Sequence, residues 1–171
     1  ASVVLLWALV RRSFGPAAAL IAALVLALTP IAVATGRTNA IDPILLLLLL
    51  GAAWALPRAA ARGGLGWLLL SAALIGLGYN AKMLQAFLVV PAWALASLLG
   101  GRVRLPLRIA HLTVAGAALL VVSFSWSAIV QLTPPAARPW VGSSTANSPF
   151  DLAFGYNGLQ RLLPPALTGI V

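Results

Sequence analysis

The sequence predicts an all-α integral membrane protein: a polytopic helix bundle of about six spans or part-spans, followed by a loop region at the outer membrane face. Three observations carry this. Hydrophobic residues make up 62% of the 171 residues and charged residues only 8%, far from the composition of soluble domains. Apolar runs recur between short polar turns, and a bilayer core takes roughly 20 helical residues to cross. The cations alternate between those turns. The net charge of +9 is spread singly or in pairs, not gathered on one aromatic-studded face, which argues against nucleic acid as a partner. With no cysteine in the chain, disulfides and thiolate metal sites are excluded.

Residues 1–10 read as the end of one helix, too short to span alone. The chain opens on Ala1 without the basic start and cleavage site of a signal peptide, so a piece of a larger protein is expected. Arg11-Arg12-Ser13-Phe14-Gly15 forms a basic turn, and Pro16 suits the first turn of a second helix. That helix is expected to run to about Ala34, with a kink at Pro30. The polar island Gly36-Arg37-Thr38-Asn39-Ala40-Ile41-Asp42 follows, holding one of only two acids. Pro43 starts a third helix through the leucine run to Leu56, and Pro57-Arg58 with Arg62-Gly63-Gly64 make the next turn.

Residues 65–78 and 83–99 are apolar on either side of Tyr79-Asn80-Ala81-Lys82. As one helix they would greatly exceed a bilayer core of about 30 Å, so two spans joined at residues 79–82 are expected. A basic turn over residues 100–108 leads to a sixth span, 109–130. From Gln131 onward proline, serine and asparagine dominate. The division is therefore a helical core over residues 1–130 and an extracytoplasmic loop region over 131–171.

Alternate turns separate by charge. Arg11, Arg12, Arg58, Arg62, Arg102, Arg104 and Arg108 fall on one side; Arg37, Lys82, Arg138 and Arg161 fall on the other. Arginine and lysine in short loops prefer the cytoplasm. The expectation is a multi-pass protein of the cytoplasmic membrane with Asp42, Lys82, Asp151 and the tail outside.

Asp42 can cap the third helix, as Asp often does before an apolar run. It can equally accept a proton or bind sugar hydroxyls, with Arg37 gripping a phosphate through its forked donors. Tyr79, Lys82 and Gln85 are spaced three apart, which puts them on neighbouring turns of one helix face. Lys82 can meet a lipid phosphate or simply snorkel to the headgroups. His111 stands alone and reads as structural, so no metal site is assigned and metal dependence stays open. The tryptophans read as interface anchors, with Trp140 in the outer loop as a possible sugar platform. Candidate substrate contacts are Asn39, Tyr79, Asn80 and Gln85, joined in the tail by Asn147, Tyr156 and Asn157.

Taken together, several motifs resemble the bacterial polyprenyl-phosphate-dependent glycosyltransferases, relatives of the protein O-mannosyltransferases and of the aminoarabinose transferase of lipid A, with the multispan GT-C fold. They are Thr29-Pro30-Ile31, Arg37-Thr38-Asn39 with Asp42, residues 76–87 around Lys82-Met83-Leu84-Gln85, and Arg138-Pro139-Trp140-Val141-Gly142-Ser143 with Phe154-Gly155-Tyr156-Asn157-Gly158-Leu159. The resemblance implies a polyprenyl-phosphate sugar as donor, an acceptor hydroxyl of unspecified origin, transfer at the outer face and inversion at the anomeric centre. It also implies a general base in an outer loop preceding Ala1. Asp42 then matches the second acidic position of the family, and Lys82 the basic residue near the donor phosphate, with Arg37 and Arg138 as further cations for that phosphate. The competing expectation is a transporter or lipid flippase core with Arg37, Asp42 and Lys82 lining a pathway, which would place polar groups near mid-span.

Overall fold

The structure, a computed structural model, describes the backbone of residues 1–159 and the side chains of residues 1–155. The described residues form helices and turns without a strand. In order they are α1 (Ser2–Leu28), α2 (Pro30–Arg37), α3 (Asp42–Arg62), α4 (Leu65–Lys82), a 3₁₀ segment (Met83–Val89), α5 (Val90–Gly100), α6 (Leu105–Leu132) and a π-helical segment (Asp151–Leu159). Among the described residues four stretches are long and apolar enough to cross a membrane: Ser2–Leu28, Asp42–Arg62, Leu65–Gly100 and Leu105–Leu132.

Two of these stretches double back. Gly15 has φ 84° and ψ 175°, a backbone conformation open to glycine, and the Pro16 ring starts the returning arm. Ser2 and Val3 line the same cavity as Leu26 and Ala27; a straight helix of 27 residues would hold its ends about 40 Å apart. The second reversal is at Lys82 (φ −145°) and Met83 (φ 45°). Beyond it, Trp93 Nε1 donates to Ser71 Oγ at 3.0 Å, and the Arg102 amide reaches the Ala60 carbonyl at 3.4 Å. The described residues thus make six passes; the fourth and fifth are separate, as expected, but they meet at residues 82–83, and Tyr79, Asn80 and Ala81 still belong to α4 and not to the turn.

Several boundaries differ from the sequence reading. The second pass breaks at Thr29, whose ψ of 119° leaves the helix, and then continues as α2 to Arg37. Gly36 and Arg37 are therefore helical, and the connecting loop shrinks to residues 38–41. α3 runs through Pro57 to Arg62 and does not stop at Leu56. Arg58 folds back there, donating to the Trp54 carbonyl at 2.6 Å and lying 3.5 Å over the Trp54 ring. These contacts support the turn that the proline loosens.

α4 lies between α3 and α6. Gly76 makes the second contact close: a Cβ there would be 2.9 Å from the Leu119 carbonyl oxygen and 2.9 Å from Val122 Cβ. Ser71, fully buried, donates to the Ala52 carbonyl at 2.8 Å while accepting from Trp93, so one hydroxyl ties three passes together. The two ends of the bundle differ in charge. Arg12 and Arg62 stand close enough to Arg58 to repel it, and Arg108 donates to the Leu98 and Val103 carbonyls at this same end. The opposite end carries Asp42, Lys82 and the stretch of chain from 133 to 155. That chain folds back onto the helices, with Phe124 packed against Phe150 and Phe154 at ring distances of 5.9 and 6.4 Å.

Candidate functional site

α3 begins on Asp42 itself, with Ile41 in the capping position, and Asp42 makes no cap hydrogen bond. Its carboxylate instead pairs with Lys82, which ends α4. The two helices that pack most extensively thus bring together the acid that starts one and the cation that ends the other. Both side chains are partly open, 48% for Asp42 and 32% for Lys82. Such half-exposed pairs contribute little to stability, so either partner can change at small cost.

Two cavities lie nearby, one with Asp42 in its wall and one with Met83, the residue after Lys82. The larger, about 560 Å³, has Asp42, Thr35 and Ser2 as its polar lining and is otherwise walled by apolar side chains such as Leu26, Val33, Leu45 and Leu49. Lys82 reaches its edge through the ion pair with Asp42. The smaller, about 360 Å³, includes Tyr79, Asn80, Met83, Trp126, Ser127 and Trp140 in its wall. Tyr79 is 1% exposed and stacked on Phe87 at 5.0 Å, with Phe124 edge-on at 5.1 Å. Its hydroxyl has no hydrogen-bond partner among the described residues; Ser127 stands beside it without the geometry of a bond.

The remaining sequence candidates divide. Asn80 donates to the Gly76 and Val122 carbonyls at 3.2 and 2.9 Å, bracing α4 on α6. Tyr79, Lys82 and Gln85 do not share a helix face, because the reversal at Met83 intervenes; Gln85 is exposed on the 3₁₀ segment while Tyr79 is buried. Arg37 and Asn39 are exposed and make no hydrogen bond or ion pair with any described residue. Arg138 spends its donors on main-chain carbonyls: Gln131 at 2.6 Å, Thr133 at 3.1 and 3.2 Å and Asn147 at 3.3 Å. Asn147 Oδ1 accepts from the Val141 amide at 2.7 Å. These two residues shape the loop that follows α6. The side chains of Tyr156 and Asn157 lie outside the described residues.

Other contributors were not singled out in the sequence. Ser123 and Ser127, four apart on an apolar helix, share a face, and that spacing was the available signal for Ser127. Gln131 Oε1 accepts from Ser148 at 2.8 Å. Asp151 accepts from the Thr145 amide and hydroxyl at 2.6 and 2.9 Å and from the Ala146 amide at 3.2 Å. The Thr145 hydroxyl first, then the two amides, hold its carboxyl below the ordinary carboxylate value. With no grouping of three His, Cys, Asp or Glu side chains among the described residues, Lys82 is what this site offers an anionic ligand directly.

Comparison with known proteins gives a consistent picture. The family model described as "Dolichyl-phosphate-mannose-protein mannosyltransferase" matches residues 1–126. The Bacillus subtilis (strain 168) protein named "Putative mannosyltransferase YkcB" is 47% identical over 161 residues, 94% of this chain and 22% of that protein. A second protein of the same organism, "Putative mannosyltransferase YycA", is 50% identical over 161 residues, 94% of this chain and 24% of that protein. The chain therefore spans less than a quarter of the length of these relatives. No solved structure matches it significantly.

Proposed function

This chain belongs to the dolichyl-phosphate-mannose-protein mannosyltransferase family, and on that premise we propose that it is part of a membrane glycosyltransferase. It moves a sugar from a polyprenyl-phosphate donor to an acceptor hydroxyl at the extracytoplasmic face of a bacterial cytoplasmic membrane, inverting the anomeric carbon. The observation that carries this reading is the Asp42–Lys82 pair at the edge of the apolar cavity.

The division of labour follows from charge. Breaking the sugar–phosphate bond leaves negative charge on the polyprenyl phosphate, and a cation aimed at that oxygen stabilises it as it forms. Lys82 already holds one anionic oxygen, that of Asp42, and a donor phosphate competes for the same ammonium. The apolar cavity takes the first part of the lipid. Release of Lys82 to the phosphate frees Asp42 to accept a hydrogen bond from a sugar or acceptor hydroxyl, which makes it an accessory acid. On this reading Asp42 is not the general base itself; another carboxylate takes the proton of the acceptor hydroxyl. Arg37, exposed on the same end, can approach a headgroup phosphate, while Arg138 contributes by holding the loop. The transport alternative gains no support: the Asp, Lys, Arg and His residues of the described spans sit towards the two ends of the passes, not at mid-span.

The test uses the full-length protein in native membranes with a radiolabelled polyprenyl-phosphate sugar. Lys82→Met is expected to lower sugar transfer by at least 100-fold, in line with removal of one transition-state charge partner, and Asp42→Asn by a smaller factor. Turnover unchanged in both variants would remove the site from the reaction.

A further inference from the structure

Each cavity borders the Asp42–Lys82 pair through one residue, Asp42 in the wall of the first and Met83, next to Lys82 in the chain, in the wall of the second together with Tyr79 and Asn80. They differ in chemistry. The first is walled mainly by aliphatic side chains. The second has two indoles in its wall, Trp126 and Trp140, which are 60% and 81% exposed. It also has a tyrosine hydroxyl that is buried and without a partner among the described residues. A buried polar group without a partner is unfavourable, and each one in a native fold calls for an explanation. Its volume of about 360 Å³ lies near the lower end of the roughly 300–1,000 Å³ typical of small-molecule sites. Aromatic faces pack against the C–H faces of a pyranose, and its hydroxyls supply what an orphan hydroxyl lacks.

We propose that the cavity at Tyr79 is the subsite for the sugar ring of the lipid-linked donor, with the Tyr79 hydroxyl bonded to a ring hydroxyl and Trp126 or Trp140 packed on the ring. The inference rests on the glycosyltransferase reading above and deepens it. The phosphate sits at Lys82, the lipid runs into the aliphatic cavity on one side, and the sugar enters the aromatic cavity on the other. Tyr79 is then a specificity residue: it contacts the glycosyl group and leaves the lipid phosphate untouched. Ser127, beside that hydroxyl and in the same wall, is the second hydroxyl a ring can reach.

The experiment compares two ligands on the full-length protein in lipid nanodiscs: a polyprenyl-phosphate mannose and the same polyprenyl phosphate without sugar. Tyr79→Phe keeps the ring and its stacking and removes only the hydroxyl; Trp140→Ala removes one indole. Each variant is expected to weaken binding of the sugar-bearing donor by about tenfold, the equivalent of one lost interaction of about 1.4 kcal/mol, and to leave the sugar-free lipid unchanged. Equal weakening of both ligands, or no change in either, overturns the subsite. The two readings fail separately. A wild-type protein that neither binds the donor nor transfers sugar defeats the glycosyltransferase reading, whereas normal transfer with no discrimination by Tyr79→Phe defeats only the subsite.

Discussion

At the scale of single residues, the orphan hydroxyl of Tyr79 makes a prediction independent of any ligand. Removing an unpaired buried hydroxyl removes a desolvation cost of about 1–3 kcal/mol. Tyr79→Phe should therefore raise the thermal midpoint of the ligand-free protein, read by a dye-based or scanning melt in detergent. A lowered midpoint would mean that the hydroxyl already has a partner. Asp151 behaves in the opposite sense. Its hydrogen bonds to Thr145 and Ala146 hold its carboxyl below the ordinary value, so its contribution is fully present above the unfolded value near 4 and is lost as pH falls through the lower folded value. Protection of the Thr145 and Ala146 amides, taken relative to their intrinsic exchange rates, should hold at neutral pH and be lost in acid as Asp151 takes up its proton, and Asp151→Asn should abolish that acid transition. Asp42 and Lys82 were legible in the sequence because an acid and a lone lysine stand out against apolar runs. Tyr79 was legible only as a polar residue near Lys82. Its burial and empty hydroxyl depend on Phe87, Phe124 and Ser127, which arrive from elsewhere in the chain.

At the scale of elements, the helical passes were legible because each must satisfy its own backbone in an apolar solvent, so apolar length alone marks them. Their ends were less so. Pro57 looks like a helix terminator, yet α3 continues through it with Arg58 bonded to Trp54. Nor does the spacing of Tyr79, Lys82 and Gln85 reveal that Met83, a non-glycine residue at φ 45°, turns the chain. Packing between elements tests more sharply. Gly76 lets α4 approach α6 so closely that Gly76→Val would drive a side chain into the Leu119 carbonyl and Val122, at an overpacking cost of about 1–3 kcal/mol. Gly66, where a Cβ would meet nothing within 4 Å, provides the control on the same helix. Gly76→Val should lower the thermal midpoint and weaken donor binding together, because Asn80 and Tyr79 ride on the same helix as the displaced residue. Gly66→Ala should leave both unchanged.

At the scale of the whole molecule, two reversals turn four hydrophobic stretches into six passes, and that parity decides which residues can meet. Without the reversal at Gly15, Ser2 could not approach Leu26; without the one at Lys82–Met83, Trp93 could not reach Ser71. The same parity puts the arginine cluster around Arg58 at one end and the Asp42–Lys82 pair at the other, matching the alternation of cations along the chain. Arginine-rich turns favour the cytoplasm, which predicts the orientation of the whole bundle. Because this chain contains no cysteine, single cysteines report sidedness cleanly once the rest of the full-length protein is also made cysteine-free. In intact spheroplasts, a membrane-impermeant maleimide should label Asn39→Cys and Trp140→Cys but leave Arg102→Cys and Gly64→Cys unmodified until the membrane is opened. Labelling of Asn39→Cys and Arg102→Cys from the same side would break the six-pass parity. Labelling of only the arginine-rich end from outside would keep the parity and invert the protein, moving the Asp42–Lys82 site to the cytoplasmic face and with it the side on which a lipid-linked sugar must be presented.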